Sequence, residues 1–316
     1  MENNILIEAT RKDQYIFDLS KDLLDILLQD RTTNEYIKWA CSDYVELGEE
    51  YKPEEIIRPY QIVGHNTNII KPRIIKTLEQ KSTRTKENAE VFSPSWLCNQ
   101  QNNLVDTSWF GHENVFNIEI LHDWVTIINK IEFPNVKGKS WKDYIDCRRL
   151  EITCGEAPYL VSRYDAVSGE KIDLINRIGL LDRKLRVVNE NVNNEEEWYK
   201  FVIRAYQSIY GFELQGDNLV VARLNLLYTF IDNFHFKWKK DPTIKQLKKI
   251  ATIISWNIWQ MDGIKFTVPY GKSRPKHIQN PLFDGYEEKI LDLEKPYCLI
   301  KDWRSEKIQT YKSMVQ

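Results

Sequence analysis

The apolar positions of the chain follow two spacings in turn. Leu19, Leu23, Leu24, Ile26 and Leu27 recur at the spacing of a helix. Thr32, Thr33 and Asn34 interrupt that pattern, and a second short helical segment is predicted through Tyr36 and Trp39. Pro53 and Pro59 punctuate the next stretch, and Lys71 to Gln80 reads as helical before the polar run Lys81 to Asn88. Ser93-Pro94-Ser95-Trp96 can open a helix, because serine caps and proline suits the first turn. Trp96, Leu97 and Leu104 would give that helix an apolar side. Residues 107–148 are rich in Trp, Phe and His without a clear period, and contain the turn-like stretch Asn135 to Lys139. Leu150 to Leu160 then reads as a short buried strand, a glycine turn and the start of a new segment, followed by a mixed-charge connection from Tyr164 to Leu185.

The second half is more regular. Trp198, Phe201, Val202 and Tyr206 place a helix over 195–210, running into a strand that ends in the acid Glu213. Apolar residues at 219, 220, 224, 226 and 227 mark another helix, and Ile244 to Ile258 a third. Helices alternating with short strands predict an α/β fold with a doubly wound parallel sheet. There is no internal repeat and no low-complexity tract.

Two strand ends carry candidate chemistry. Gly155 follows the first strand, and a glycine there lets backbone N–H groups approach a ligand closely. Read alone, a glycine after a strand is more often a plain turn. Glu213 ends the second strand, and an acid at that position in an open α/β sheet can bind a ribose hydroxyl pair. Read alone, it is a solvated acid at a strand end.

The 316 residues suffice for one large or two modest domains, and 42% hydrophobic with 28% charged residues imply a packed core. A formal net charge of -2 removes any bulk attraction to DNA. DNA contact would need a local basic patch or a partner. The candidates are Lys71-Pro72-Arg73 with Lys76, Lys81, Arg84 and Lys86, and the stretch Lys237 to Lys249, each equally a solvated helix face. Five scattered cysteines without a C-x-x-C pair argue against a zinc site and a disulfide framework. With no signal peptide and no membrane-length apolar run, the expected location is cytoplasmic.

Tyr210-Gly211-Phe212-Glu213-Leu214-Gln215-Gly216-Asp217-Asn218, with the Ala222-Arg223-Leu224-Asn225-Leu226 that follows, resembles the second motif of adenine-specific DNA methyltransferases. The modification subunits of type I restriction systems carry such a motif. Leu150 to Leu160 resembles a variant of their S-adenosylmethionine motif. Ala89 to Trp96 resembles the upstream Phe-x-Thr-Pro motif, with Ser93 for Thr, and Trp259-Gln260-Met261-Asp262-Gly263 resembles the third motif. Order and spacing correspond over roughly residues 85 to 265. More specifically, the chain resembles short proteins described as restriction endonuclease subunit M, which share a run like Leu28 to Thr33 and a pair like Trp39-Ala40.

The resemblance implies a Rossmann-like methyltransferase core over 86–316, preceded by a mainly helical region over 1–85. It implies S-adenosylmethionine as cofactor. Phe92, Ser93 and Pro94 would frame its methionine end, and Glu151, Gly155 and Ala157 would line it through the turn. Glu213 would bind the ribose hydroxyls and Asp262 the adenine amine. The reaction implied is methylation of the exocyclic amine of a flipped adenine, which needs in-line approach to the methyl group and extrusion of the base.

The chain departs from the family at three places. Ala157 replaces the second glycine, Pro158 removes a backbone donor, and Glu156 places a carboxylate where that of the cofactor would sit. The amine-clamping Asn/Asp-Pro-Pro-Tyr/Phe motif has only partial counterparts. One is Asn280-Pro281-Leu282-Phe283, in which Asn280, Pro281 and Phe283 are the candidate catalytic residues. The other is Tyr297 to Trp303, a strand ending in an acid and an aromatic. About fifty residues follow Asp262, fewer than the remaining strands and a target-recognition region need. The resemblance therefore leaves two readings open. One is an enzyme that reaches DNA through a partner subunit supplying target recognition, as a hetero- or homo-oligomer. The other is a catalytically silent subunit, structural or regulatory, in phage defence or counter-defence. A dehydrogenase-like protein lacks support because no G-x-G-x-x-G follows the first strand, and no nuclease constellation is evident.

Overall fold

The computed structural model describes residues 12–67, 69–76, 84–85, 91, 93–271 and 296–315. In chain order the elements begin with helices α1 (Lys12–Leu19), α2 (Lys21–Leu28) and α3 (Ser95–Phe110). Strands β1 (Asn117–Ile120) and β2 (Asp123–Thr126) follow, then α4 (Trp141–Asp146) and β3 (Arg149–Glu151). Next come α5 (Leu180–Asn191), α6 (Glu195–Gln207), β4 (Ile209–Glu213), α7 (Gly216–Trp238), α8 (Ile244–Asn257) and β5 (Ile258–Gln260). The chain closes with β6 (Leu299–Asp302), β7 (Lys307–Thr310) and α9 (Lys312–Val315). The architecture is mixed α/β around a small parallel sheet, as the alternation of patterns predicts. No helix among the described residues is long and apolar enough to cross a membrane.

The sheet has the order β3–β4–β5, all parallel, so each crossover returns through helices. Leu150 pairs with Tyr210, Phe212 with Trp259, and Glu213 with Gln260. Successive residues face opposite sides. On one side Ile209 and Ile258 join the main core with the helices. On the other, Phe212 and Trp259 pack with Cys298, Ile300 and Tyr311 of the antiparallel β6–β7 ribbon and its flanks. β4 and β5 are thereby covered on both faces, whereas Leu150 of β3, expected in a buried strand, is 42% exposed.

Helix α7 is the central element. It is buried without a break from Gly216 to Leu227, so its polar residues Asp217, Asn218, Arg223 and Asn225 must find partners inside the protein. The N-terminal segment shares the same core. Leu23, Leu24, Leu27 and Leu28 of α2 cluster with Leu247, Ile250 and Ile254 of α8, and the two helices pack together.

Four sequence expectations change. The segment through Tyr36 and Trp39 is not helical and makes isolated antiparallel bridges, Gln29 to Tyr36 and Lys38 to Ile56. The inward side of α3 is polar, carried by Asn99, Asn102 and Asp106, whereas Leu104 is 70% exposed. Asn102 donates to the carbonyls of Tyr159 and Ile178, and Asp106 pairs with Arg183 and accepts from the Tyr144 hydroxyl. The described part of the 71–80 segment forms a single 3-10 turn at Arg73–Ile75. Within the basic stretch, Lys76 and Arg84 are buried as ion-pair partners of Asp217, so neither is a surface contact for DNA.

Candidate functional site

The three parallel strands bring their carboxyl ends to one edge of the sheet, where ligands sit in open α/β folds. Glu151 ends β3, Glu213 ends β4, and Asp262 lies two residues beyond β5. The sheet thus lines up the three acids that were candidates for the cofactor.

The turn after β3 has a tightly wound backbone. Thr153, Gly155 and Ala157 all have positive φ, at 48°, 52° and 65°. Glycine adopts this region freely, but Thr153 and Ala157 do so at a steric cost. The turn is held by hydrogen bonds from several directions. The Cys154 N–H donates to the carbonyl of Phe212 at 2.8 Å, and the Gly155 N–H donates to the Glu213 carboxylate at 2.8 Å. The Tyr159 and Leu160 N–H groups donate to the two carboxylate oxygens of Glu151 at 3.3 and 3.2 Å.

Burial pushes the Glu151 carboxyl up to about 8, and the charge of Glu213 adds to the rise, while the two N–H donors oppose it. Glu213 also accepts from the Leu214 and Gln215 N–H groups at 3.0 and 3.1 Å. These backbone donors hold the Glu213 carboxylate against the turn. Asp262 is more open. Burial raises its carboxyl, but the Lys265 and Ile264 N–H groups and the Lys265 ammonium at 3.3 Å outweigh that and hold it below its ordinary value.

Of the upstream motif, the Ser93 hydroxyl accepts from the Tyr159 hydroxyl at 3.2 Å, and Pro94 caps α3. This places Ser93 and Pro94 beside the turn after β3. Phe92 lies outside the described residues, as do Asn280, Pro281 and Phe283. The other candidate, Tyr297 to Trp303, contains β6, which pairs antiparallel with β7 and is not a strand of the parallel sheet.

Several residues that shape the edge carry no role in the sequence reading. Asn225 donates to the Glu156 carbonyl at 3.1 Å and to the Tyr164 hydroxyl at 3.2 Å. The Glu156 carboxylate accepts from the Arg73 N–H at 2.5 Å and from the Tyr164 hydroxyl. That carboxylate is an internal tether. Arg223 donates to the carbonyls of Leu27, Gln29, Ser255 and Ile258, tying α2 to α8 and β5. The signal for both residues was present: they are polar positions inside an apolar helix. Lys38 and Trp39 run over the ends of β4 and β5. Gln260 accepts from the Lys38 N–H and donates to the carbonyls of Lys38 and Leu214, each at 2.8 Å. The Gly216 N–H donates to the Trp39 carbonyl at 2.9 Å, so close that a Cβ on Gly216 would lie 1.9 Å from the Lys38 carbonyl oxygen.

The edge fits a nucleoside cofactor in the kind and order of its acids. Asp262 remains partly exposed. Toward the methionine end, the fit rests on Ser93 and on the turn itself, whose Cys154, Gly155 and Ala157 N–H groups are already engaged within the protein. Among the described residues, no group of His, Cys, Asp and Glu side chains is arranged to hold a metal ion. Comparison with protein-family models, with curated proteins and with solved structures gives no significant match.

Proposed function

We propose that the chain is an S-adenosylmethionine-binding protein with a Rossmann-like methyltransferase core, acting as the modification subunit of an adenine-specific DNA methyltransferase. The observation that carries this reading is the line of Glu151, Glu213 and Asp262 along the carboxyl edge of three adjacent parallel strands. They occur in the order in which the resembling enzymes place their turn, ribose and adenine contacts. In this reading the Glu213 carboxylate binds the ribose hydroxyls and Asp262 accepts from the adenine amine. DNA is reached through a partner that supplies target recognition.

A second reading, a catalytically silent subunit of the same fold, is favoured by a different observation. The Lys38–Trp39 segment lies across the ends of β4 and β5, and the turn's donors are engaged internally.

Calorimetric titration with S-adenosylmethionine separates the two readings. The intact chain is expected to bind saturably. Asp262→Asn keeps the acceptor for its own turn and is expected to bind about tenfold more weakly, the loss of one charge-assisted bond. Saturable binding with methyl transfer to adenine-containing DNA in the presence of the partner supports the enzyme. Binding without transfer supports the silent subunit. No binding by the intact chain rejects the cofactor reading.

A further inference from the structure

Away from the sheet edge, a cavity of about 480 Å³ opens between α3 and the start of β3. Leu104, Val105, Ser108, Trp109, Lys139 and Arg149 line it. Both charged residues in that wall are cations. Lys139 reaches the cavity because the Asn135–Lys139 turn folds it back onto α3. Its ammonium donates to the Trp109 carbonyl and lies 4.6 Å from the centre of the Trp109 ring.

Arg149 is the unusual member. Its Nη1 donates to the Cys147 sulfur at 3.1 Å, while Nε and Nη2 are buried with no acceptor among the described residues. Three other arginines also have an unpaired buried nitrogen: Arg163, Arg177 and Arg183. Each of those is neutralised by a carboxylate, Asp232 for the first two and Asp106 for the third. Arg149 has no carboxylate partner among the described residues. A buried guanidinium with idle donors and no counter-charge is costly, and such a group in a folded protein calls for an absent ion or water. Its charge is felt locally. Lys184, buried and donating to the Ile145 and Cys147 carbonyls and to Ser208, is lowered to about 7, first by burial and then by Arg149.

We infer that this cavity is a binding site for a phosphate-class anion, held by Arg149 and Lys139 with the Ser108 hydroxyl as a further donor. The planar guanidinium matches two phosphate oxygens at once and the ammonium adds a point charge. The same chemistry arises from a free phosphate or from a phosphodiester of DNA. The site is independent of the cofactor reading, because it lies on α3 and the start of β3 and uses none of the edge acids.

Thermal unfolding of the full chain tests the site, comparing inorganic phosphate with chloride at matched ionic strength. Wild type is expected to gain a phosphate-specific rise in Tm. Arg149→Met is expected to lose that rise and, with the uncompensated charge gone, to be at least as stable as wild type in chloride. Lys139→Met, which leaves β3 intact, is expected to weaken apparent phosphate affinity about tenfold, the size of one charge-assisted contact. An adventitious response, equal in wild type and both variants, would overturn the proposal, as would no phosphate-specific rise in wild type. Should Arg149→Met fail to fold, an undiminished phosphate response in Lys139→Met rejects the site. A short duplex oligonucleotide distinguishes the sources. Competition with phosphate that Lys139→Met loses assigns the site to the DNA backbone, and phosphate binding without competition assigns it to a free anion.

Discussion

The Glu213 carboxylate at the end of β4 accepts the Gly155 N–H at 2.8 Å, joining one parallel strand to the turn that follows its neighbour. The same carboxylate holds the Leu214 and Gln215 N–H groups, so it fixes both the turn after β3 and the entry to α7. Glu213 is thus a structural anchor as well as the candidate ribose acceptor. Glu213→Ala strands three backbone donors at a buried position and is expected to lower stability by about 2–4 kcal/mol, read by urea unfolding. An unchanged midpoint would show that the turn holds its shape without this acid. For the same reason, loss of cofactor affinity in Glu213→Ala must be read on protein shown to be folded.

Helices α6, α7 and α8 were legible because their apolar residues keep one period over a whole element, whereas α5 falls where the sequence reads as a mixed-charge connection. Trp198, Val202 and Tyr206 repeat at helical spacing and are all buried in α6. The inward side of α3 escaped for the converse reason: Asn99, Asn102 and Asp106 are polar, and only the fold supplies their partners. Lys76 and Arg84 looked like part of a basic run because their common partner, Asp217, lies 141 and 133 positions away. Local spacing carries no trace of such a pair. The order of Glu151, Glu213 and Asp262 was readable, whereas the crossing of Lys38–Trp39 over the strand ends was not. No sequence pattern distinguishes a loop that covers an edge from one that leaves it. Arg149 was equally silent, since its missing counter-charge is a property of neighbours gathered from α3, the 135–139 turn and β3.

Glu151 gives the fold a definite pH dependence. Burial raises its carboxyl to about 8, above the roughly 4.3 of an unfolded chain. The folded state therefore binds the extra proton between those values. Its contribution to stability is complete below the lower value and is lost as pH rises through the higher one. Glu151→Gln mimics the protonated form, so the wild-type curve is expected to fall relative to the variant from about pH 5 to pH 8. Thermal unfolding across that range checks it. Parallel curves would mean that the Glu151 charge is accommodated in the fold.

Arg223 joins parts of the chain that local interactions do not. Burial lowers its guanidinium to about 9, yet the group donates to four carbonyls: Leu27 at 2.5 Å, Ile258 at 2.8 Å, Gln29 at 3.1 Å and Ser255 at 3.3 Å. Arg223→Met replaces it with an apolar chain but leaves those carbonyls without their donor. The expected loss is about 3 kcal/mol or more, with the greatest rise in amide exchange over α2 and the end of α8. A uniform rise across the chain would show instead that Arg223 supports the core as a whole.

Asp217 shows how the N-terminal segment is locked onto α7. Its carboxylate takes the Lys76 ammonium at 2.9 Å, the Arg84 guanidinium at 2.9 and 3.0 Å, and the Tyr44 hydroxyl at 2.9 Å. Burial alone would raise this acid, but Lys76 and Arg84 outweigh it and hold the carboxyl well below the usual range. Asp217→Asn keeps the shape and removes the charge that Lys76 and Arg84 face on this helix. The expected cost near neutral pH is about 3–5 kcal/mol. A carboxyl depressed by folding stabilises above its unfolded value and loses that contribution as pH falls. The gap between wild type and Asp217→Asn should therefore be full at pH 7 and narrow below about pH 4. Urea unfolding at both pH values decides the point. A gap that stays constant with pH would mean that the asparagine loses packing or hydrogen bonds rather than charge.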